Sequence, residues 1–248
     1  MPQIFSKKAN TYSRVSLFCL LALPAGAIMA GMAVTRGPAQ TNVGMPLDQP
    51  VPFSHKHHVE ELGIDCRYCH ASVETSAKAG VPTTETCMSC HAHIWTNSPL
   101  LEPVRKSYET GVPIKWQKIN KVPEFVYFDH SIHIARGINC NTCHGPIQDM
   151  HITWKGQYFF MRWCLECHRE PEKYLYVNPR DPDKDPRQKA FDLYSLNKYG
   201  EDLTPIEWRN LEGSDLKFSK DQIAEGEKLV EKWGVKVKQL TDCWTCHR

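Results

Sequence analysis

Five times in this chain a Cys-x-x-Cys pair is followed at once by histidine: Cys66-Arg-Tyr-Cys69-His70, Cys87-Met-Ser-Cys90-His91, Cys140-Asn-Thr-Cys143-His144, Cys164-Leu-Glu-Cys167-His168 and Cys243-Trp-Thr-Cys246-His247. This spacing is the attachment signature of c-type haem: two thiols add to the vinyl groups of one porphyrin, and the adjoining imidazole becomes the proximal ligand of its iron. Zinc knuckles also use paired cysteines, but they do not require histidine at the next position. Ten of the eleven cysteines lie in these motifs and Cys19 stands alone in an apolar run, so no disulfide scaffold is left to build. The sequence predicts five c-type haems, each with its iron.

Five porphyrins decide the fold class. Roughly 210 residues beyond the apolar run would enclose them, about forty per haem, too few for a conventional core. Porphyrin faces then become the core, and cofactor binding becomes inseparable from folding. Strand signals are weak throughout. The expected class is a mostly α and irregular multihaem cytochrome c, with short helices and loops wrapped around five covalent haems and one N-terminal transmembrane helix. The formal charge of +2, from 30 basic and 28 acidic residues, is a poor guide to partners, because haem propionates would turn it acidic. The basic residues are scattered without a stripe, which argues against nucleic acid.

Val15 to Val34 is a twenty-residue run without charge, long enough to span a bilayer as a helix. Lys7, Lys8 and Arg14 precede it, so the positive-inside rule puts residues 1–14 in the cytoplasm. The haem domain then lies on the periplasmic side of the inner membrane, where haem attachment takes place. The rival reading is a cleaved signal peptide ending at Ala25-Gly26-Ala27, but the run exceeds the usual apolar length of such a peptide. Pro24 and Gly26 would kink the helix unless neighbouring helices support it. Cys19 follows Phe18 instead of a small residue, so a lipid-attachment site is not expected.

A two-haem unit occurs twice. Phe53-Ser-His55-Lys-His57-His58 precedes Gly63-Ile64-Asp65-Cys66, and Phe128-Asp-His130-Ser-Ile-His133 precedes Gly137-Ile138-Asn139-Cys140. Histidines at i and i+3 share one side of a helical turn yet reach different irons, so each segment could clamp two neighbouring haems. The expected organisation is a first two-haem unit over 50–91, a connector over 92–127 with Trp95 and Trp116 as packing aromatics, and a second unit over 128–177. A linker and fifth-haem segment follow over 178–248. The linker is Pro- and charge-rich from Asn178 to Gln188. Beyond it Ser219 can cap a helix over roughly 220–233, with Ile223, Leu229, Val230 and Trp233 on one face.

Seven histidines remain after the proximal set of His70, His91, His144, His168 and His247. Five irons need at most five distal ligands, so the surplus argues against an open iron. No Cys-x-x-Cys-Lys variant is present either, which disfavours a reductase active site. His55, His58, His130 and His133 are assigned to four haems. The fifth distal ligand lies among Met150, His151, His93 and His57.

The segments FSHKHHVEELGIDCRYCH, TTETCMSCHAHIW, PEFVYFDHSIHIARGINCNTCHG and MRWCLECHREPEKYL resemble the pentahaem cytochrome c subunit of alternative complex III, a bacterial quinol-oxidising assembly. The likeness covers the N-terminal anchor and residues 50–176; beyond 178 it rests on the final haem motif. It implies a single-pass, membrane-anchored subunit that carries electrons from quinol oxidation to a periplasmic cytochrome c or similar acceptor and is not an enzyme by itself. It also implies partners: an iron–sulfur subunit related to molybdopterin enzymes, multi-span quinol-binding subunits and a monohaem cytochrome c. Met150 as the fifth distal ligand is likewise what the resemblance implies. The alternatives are a stand-alone quinol dehydrogenase cytochrome that feeds a periplasmic reductase, and a multihaem reductase with a five-coordinate haem.

Overall fold

The computed structural model describes residues 5–175, 190–191 and 220–247. The chain divides into two units, Met1–Asn42 and Val43–Arg248. The linker over 178–188 and the helix cap at Ser219 lie outside the described residues.

The first unit is built on α1 (Ala9–Arg36), 28 residues whose central stretch has mean hydropathy 2.2 and no buried side chain. At 1.5 Å per residue it extends about 42 Å, enough to cross a bilayer. The helix runs through Pro24 and ends at Gly37, whose N–H bonds the Val34 carbonyl before Pro38 opens the short α2 (Pro38–Thr41).

In the second unit the helices are short, and most carry a haem motif or a histidine pair. They are α3 (Cys66–Cys69), α4 (Thr84–His91), α5 (Glu102–Thr110), α6 (His130–Ala135), α7 (Cys140–His144), α8 (Met161–Arg169), α9 (Lys220–Lys232), α10 (Val237–Leu240) and α11 (Cys243–Cys246). Among the described residues there is no strand, only two isolated bridges, Val43 with Lys155 and Pro46 with Trp154. One helical turn suits Cys-x-x-Cys because residues i and i+3 share a face, which puts both sulfurs on one side. Asx residues start two of these turns: Asp65 accepts the Arg67 N–H and Asn139 accepts the Asn141 N–H.

The repeat seen in sequence extends to the backbone, with one difference. His130 and His133 sit on α6, whereas His55 and His58 lie at a π-helical turn, Lys56–Glu61. Phe53 to Gly63 spans one residue more than Phe128 to Gly137, and the wider turn absorbs that residue. Downstream the two units converge again. Gly63 and Gly137 have φ of 67° and 69°, where only glycine is unstrained, and Ile64 and Ile138 donate to the carbonyls of His58 and His133.

The segment over 92–127 folds back onto the first two motifs. Its α5 packs on α4, where the Thr84 and Ser107 hydroxyls meet at 2.9 Å. Gln49 exchanges two hydrogen bonds with the Gln117 backbone. Trp116 is half-buried as expected, but Trp95 is 66% exposed at a positive φ of 55°, its ring beside only the exposed His57.

The helix read over 220–233 is α9, with Ile223, Leu229, Val230 and Trp233 half-buried. It ends in a left-handed Gly234 with Val235 N–H returning to the Val230 carbonyl, a glycine C-cap. α9 packs on the 3-10 turn Pro171–Lys173, and Gly226 is the contact point: a Cβ there would overlap the Glu172 carbonyl.

Candidate functional site

The histidines are held by a common device. Among the proximal set, the Nδ1–H of His70 donates to the Gly80 carbonyl at 2.8 Å, that of His91 to Ile94 at 3.3 Å, that of His168 to Leu240 at 2.9 Å and that of His247 to Phe125 at 3.0 Å. His144 differs, its Nδ1 meeting the Asn120 carboxamide at 2.9 Å. The four assigned distal histidines are tethered likewise: His58 to Ser54 O at 2.8 Å, His130 to Ala77 O at 2.8 Å, His133 to Asp129 O at 2.7 Å and His55 to the Thr153 hydroxyl at 3.2 Å. A carbonyl can only accept, so each ring it holds carries a proton on Nδ1 and leaves Nε2 as the nitrogen that could bind a metal. The remaining three histidines are placed differently. His57 bonds the Glu61 carboxylate at 2.7 Å, His151 reaches the Ser54 hydroxyl only at 3.5 Å, and His93 lies exposed.

Each clamp phenylalanine braces both of its histidines. Phe53 meets His55 edge-on at 4.9 Å and lies over His58 at 4.4 Å; Phe128 meets His130 edge-on at 4.8 Å and lies over His133 at 4.5 Å. The motif Phe-x-His-x-x-His therefore works as one rigid part.

The rings also meet in pairs. His58 and His91 have ring centres 6.2 Å apart, His130 and His144 6.3 Å, and His133 and His168 6.2 Å. An imidazole nitrogen binds a metal at about 2.0 Å and lies roughly 1.1 Å from its ring centre, so two imidazoles on opposite sides of one metal are about 6.2 Å apart. His55 lies by His70: burial first, then the neighbouring His70 and His58, lowers the His55 pKa to about 4. Burial, followed by His130, His70 and His55, does the same to His144, again to about 4. Both rings are neutral, the form that binds a metal.

The cysteines fit haem attachment better than a thiolate cage. All eleven are unpaired. Burial pushes the Cys140 and Cys143 thiols up to about 12, and raises Cys164 and Cys167 as well. A zinc site requires thiolates that converge on one point, and among the described residues no three His, Cys, Asp or Glu side chains do so. Two opposed imidazoles beside a Cys-x-x-Cys turn form the donor set that a haem iron takes.

Met150 is buried, and its carbonyl accepts the Lys56 N–H beside the His55 turn, whereas His247 is held through Phe125, whose ring lies 5.8 Å from it. Sequence reasoning missed Asn120 and Thr153, which approach His144 and His55 from 24 and 98 residues away. It also missed Gly156. A Cβ on that residue would sit 2.5 Å from both the His144 carbonyl carbon and the Gly145 nitrogen. Gly156→Ala should therefore displace the third motif, costing roughly 1–3 kcal/mol as overpacking does. A lowered Tm together with reduced haem content would be the readout; a Tm within a degree of the parent would refute the contact.

Five Cys-x-x-Cys-His turns and paired imidazoles define a multihaem c-type cytochrome. Residues 31–106 match the class III cytochrome c family. The "Menaquinone reductase, multiheme cytochrome c subunit" of Nitratidesulfovibrio vulgaris strain Hildenborough is 36% identical over 151 residues, covering 52% of this chain and 71% of that protein. The chain belongs to this family of multihaem electron-transfer cytochromes.

Proposed function

We propose that this chain is the pentahaem subunit of a quinol-oxidising membrane complex of the alternative complex III type. In this reading α1 anchors it in the inner membrane, the second unit faces the periplasm, and it carries electrons to a cytochrome c or similar acceptor. An iron–sulfur subunit related to molybdopterin enzymes, multi-span quinol-binding subunits and a monohaem cytochrome c are the partners. The observation that carries the reading is the set of imidazole pairs 6.2–6.3 Å apart on two shared clamps. His91 with His58, His70 with His55, His144 with His130 and His168 with His133 would each hold one iron. Haem supplies one-electron exchange at each of these sites when bound.

Contacts within the chain support a row of motifs. Tyr68 of the first motif bonds Ser89 of the second at 2.8 Å. Ala77, just past the first, accepts both the N–H and the Nδ1–H of His130, the partner of the third motif. His130 and His133 on α6 join the third to the fourth, and Leu240, just ahead of the fifth, holds His168 of the fourth. The order is second, first, third, fourth, fifth. The second and fifth motifs end the row, so donor and acceptor would dock there.

A second reading has one observation in its favour: the relative's name describes a menaquinone reductase, which would reverse the flow, from a periplasmic donor into the quinone pool. Gentle solubilisation of membranes, purification of this chain and intact mass spectrometry test the proposal. Five haems and co-purifying iron–sulfur and multi-span subunits are expected. Recovery of the chain alone would favour a self-contained quinol dehydrogenase. Haem reduction by added menaquinol, set against haem oxidation by added menaquinone, then decides the direction.

A further inference from the structure

Four proximal histidines bond main-chain carbonyls, which a side-chain substitution does not remove; His144 bonds a side chain. As placed, the Asn120 Nδ2 faces the His144 Nδ1, and the Asn120 Oδ1 is buried without a hydrogen-bond partner. Nδ2 can only donate, so this orientation demands a bare Nδ1 and leaves the ring's single proton on Nε2. Metal ligation through Nε2 demands the reverse, with the proton on Nδ1 and an acceptor facing it. Turning the carboxamide by 180° supplies that acceptor, and the two orientations have nearly the same shape. One amide group stays unpartnered either way; what changes is which ring nitrogen can bind iron.

We propose that Asn120 is a positioning residue for the third haem site, its amide oxygen accepting the His144 Nδ1 proton and thereby fixing the ring and setting its basicity. The inference rests on the reading of His144 as a proximal ligand. A stronger acceptor at Nδ1 makes the imidazole a better donor to iron and favours the oxidised state; loss of the acceptor favours the reduced state. Because no other proximal histidine is held by a side chain, this site's potential can be moved by one substitution while its four neighbours keep theirs.

The test compares Asn120→Asp, Asn120→Leu and Asn120→Gln in the haem-loaded full chain, by optical redox titration and low-temperature EPR. Asn120→Asp should lower the midpoint of one haem and Asn120→Leu should raise it. Each should change that haem's reduced-to-oxidised ratio at fixed poise about tenfold, or about 59 mV for one electron. The other midpoints should stay put, and Asn120→Gln, which keeps an amide oxygen, should shift the site least. Unchanged midpoints in fully loaded Asp and Leu variants would overturn the inference, as would shifts of the same sign in both. If the Leu variant loses its haem, the Asp and Gln variants still decide the sign. A parent protein with no haem on Cys140 and Cys143 would sink the ligand reading and this inference together, whereas unchanged midpoints in a loaded protein sink the inference alone.

Discussion

On the proposed function, His133→Ala should turn one haem high-spin and cut electron transfer along the row at an interior site. His133 lies 6.2 Å from His168, the proximal histidine of the fourth motif, at the spacing of two imidazoles on one iron. Its ring is fixed by the Nδ1 bond to the Asp129 carbonyl and by Phe128, and its neighbour on the same turn, His130, is itself held by the Ala77 carbonyl. Burial, the largest influence, lowers its pKa and so favours the neutral form. Loss of even an outer partner of a metal ligand typically costs roughly 10–100-fold in activity, and loss of the ligand should cost at least that. Added imidazole should enter the space and restore the low-spin spectrum. His57→Ala is the control: that ring is turned to Glu61 and should leave every haem low-spin. A low-spin spectrum unchanged in His133→Ala would defeat the pairing; a high-spin signal in His57→Ala would move the distal role to His57.

Much of this site could be read from the sequence, and the reasons are local. Cys-x-x-Cys-His needs one helical turn, and Phe-x-His-x-x-His needs another, so each is a short-range pattern. The helix over 220–233 was legible because its apolar residues keep helical spacing and Gly234 ends it. The one-residue excess of the first repeat could have been counted, but its outcome, a π-turn that brings Gly63 back into register, depends on hydrogen bonds between turns. Asn120 and Thr153 carry no local signature, because each becomes a partner only when distant segments meet. Trp95 shows the opposite failure: an aromatic residue in a connector suggests packing, yet its backbone turns it outward. The order of the motifs in space was hidden for the same long-range reason. The first motif contacts the second through Tyr68 and Ser89 and lies next to the segment that holds His130 of α6, contacts that no local pattern shows.

The full chain produced without haem attachment should show no cooperative unfolding of its second unit. The buried apolar side chains among the described residues are few: Val43, Val51, Val73, Val104, Ile134, Met150, Trp154, Leu175 and Ala190. They are also dispersed, and the cluster that forms among the described residues, Val73 with Ile134 and Ala190, includes Cys140 of the third motif among its packed neighbours. Large apolar groups near the histidines remain outside the polypeptide's own packing; Phe125 is 65% exposed, Tyr68 53% and Met161 64%. A domain of this size ordinarily buries about two-thirds of its unfolded surface, and one that falls short needs a covalent staple or a metal. On the proposed function the staple would be the porphyrin, fixed at two thiols and held by imidazoles from different segments. The expected result is a haem-free chain with no thermal transition by circular dichroism beyond that of α1, and rapid proteolysis between the motifs. The loaded chain should melt in one step. Position in the row gives the effect a gradient. Cys66→Ala with Cys69→Ala removes a site joined to both the second and the third motif, and should cost more than Cys243→Ala with Cys246→Ala at the end. A haem-free chain that melts cooperatively within a few degrees of the loaded one would mean that the polypeptide builds its own core, and equal costs for the two double variants would mean that the motifs fold independently of their neighbours.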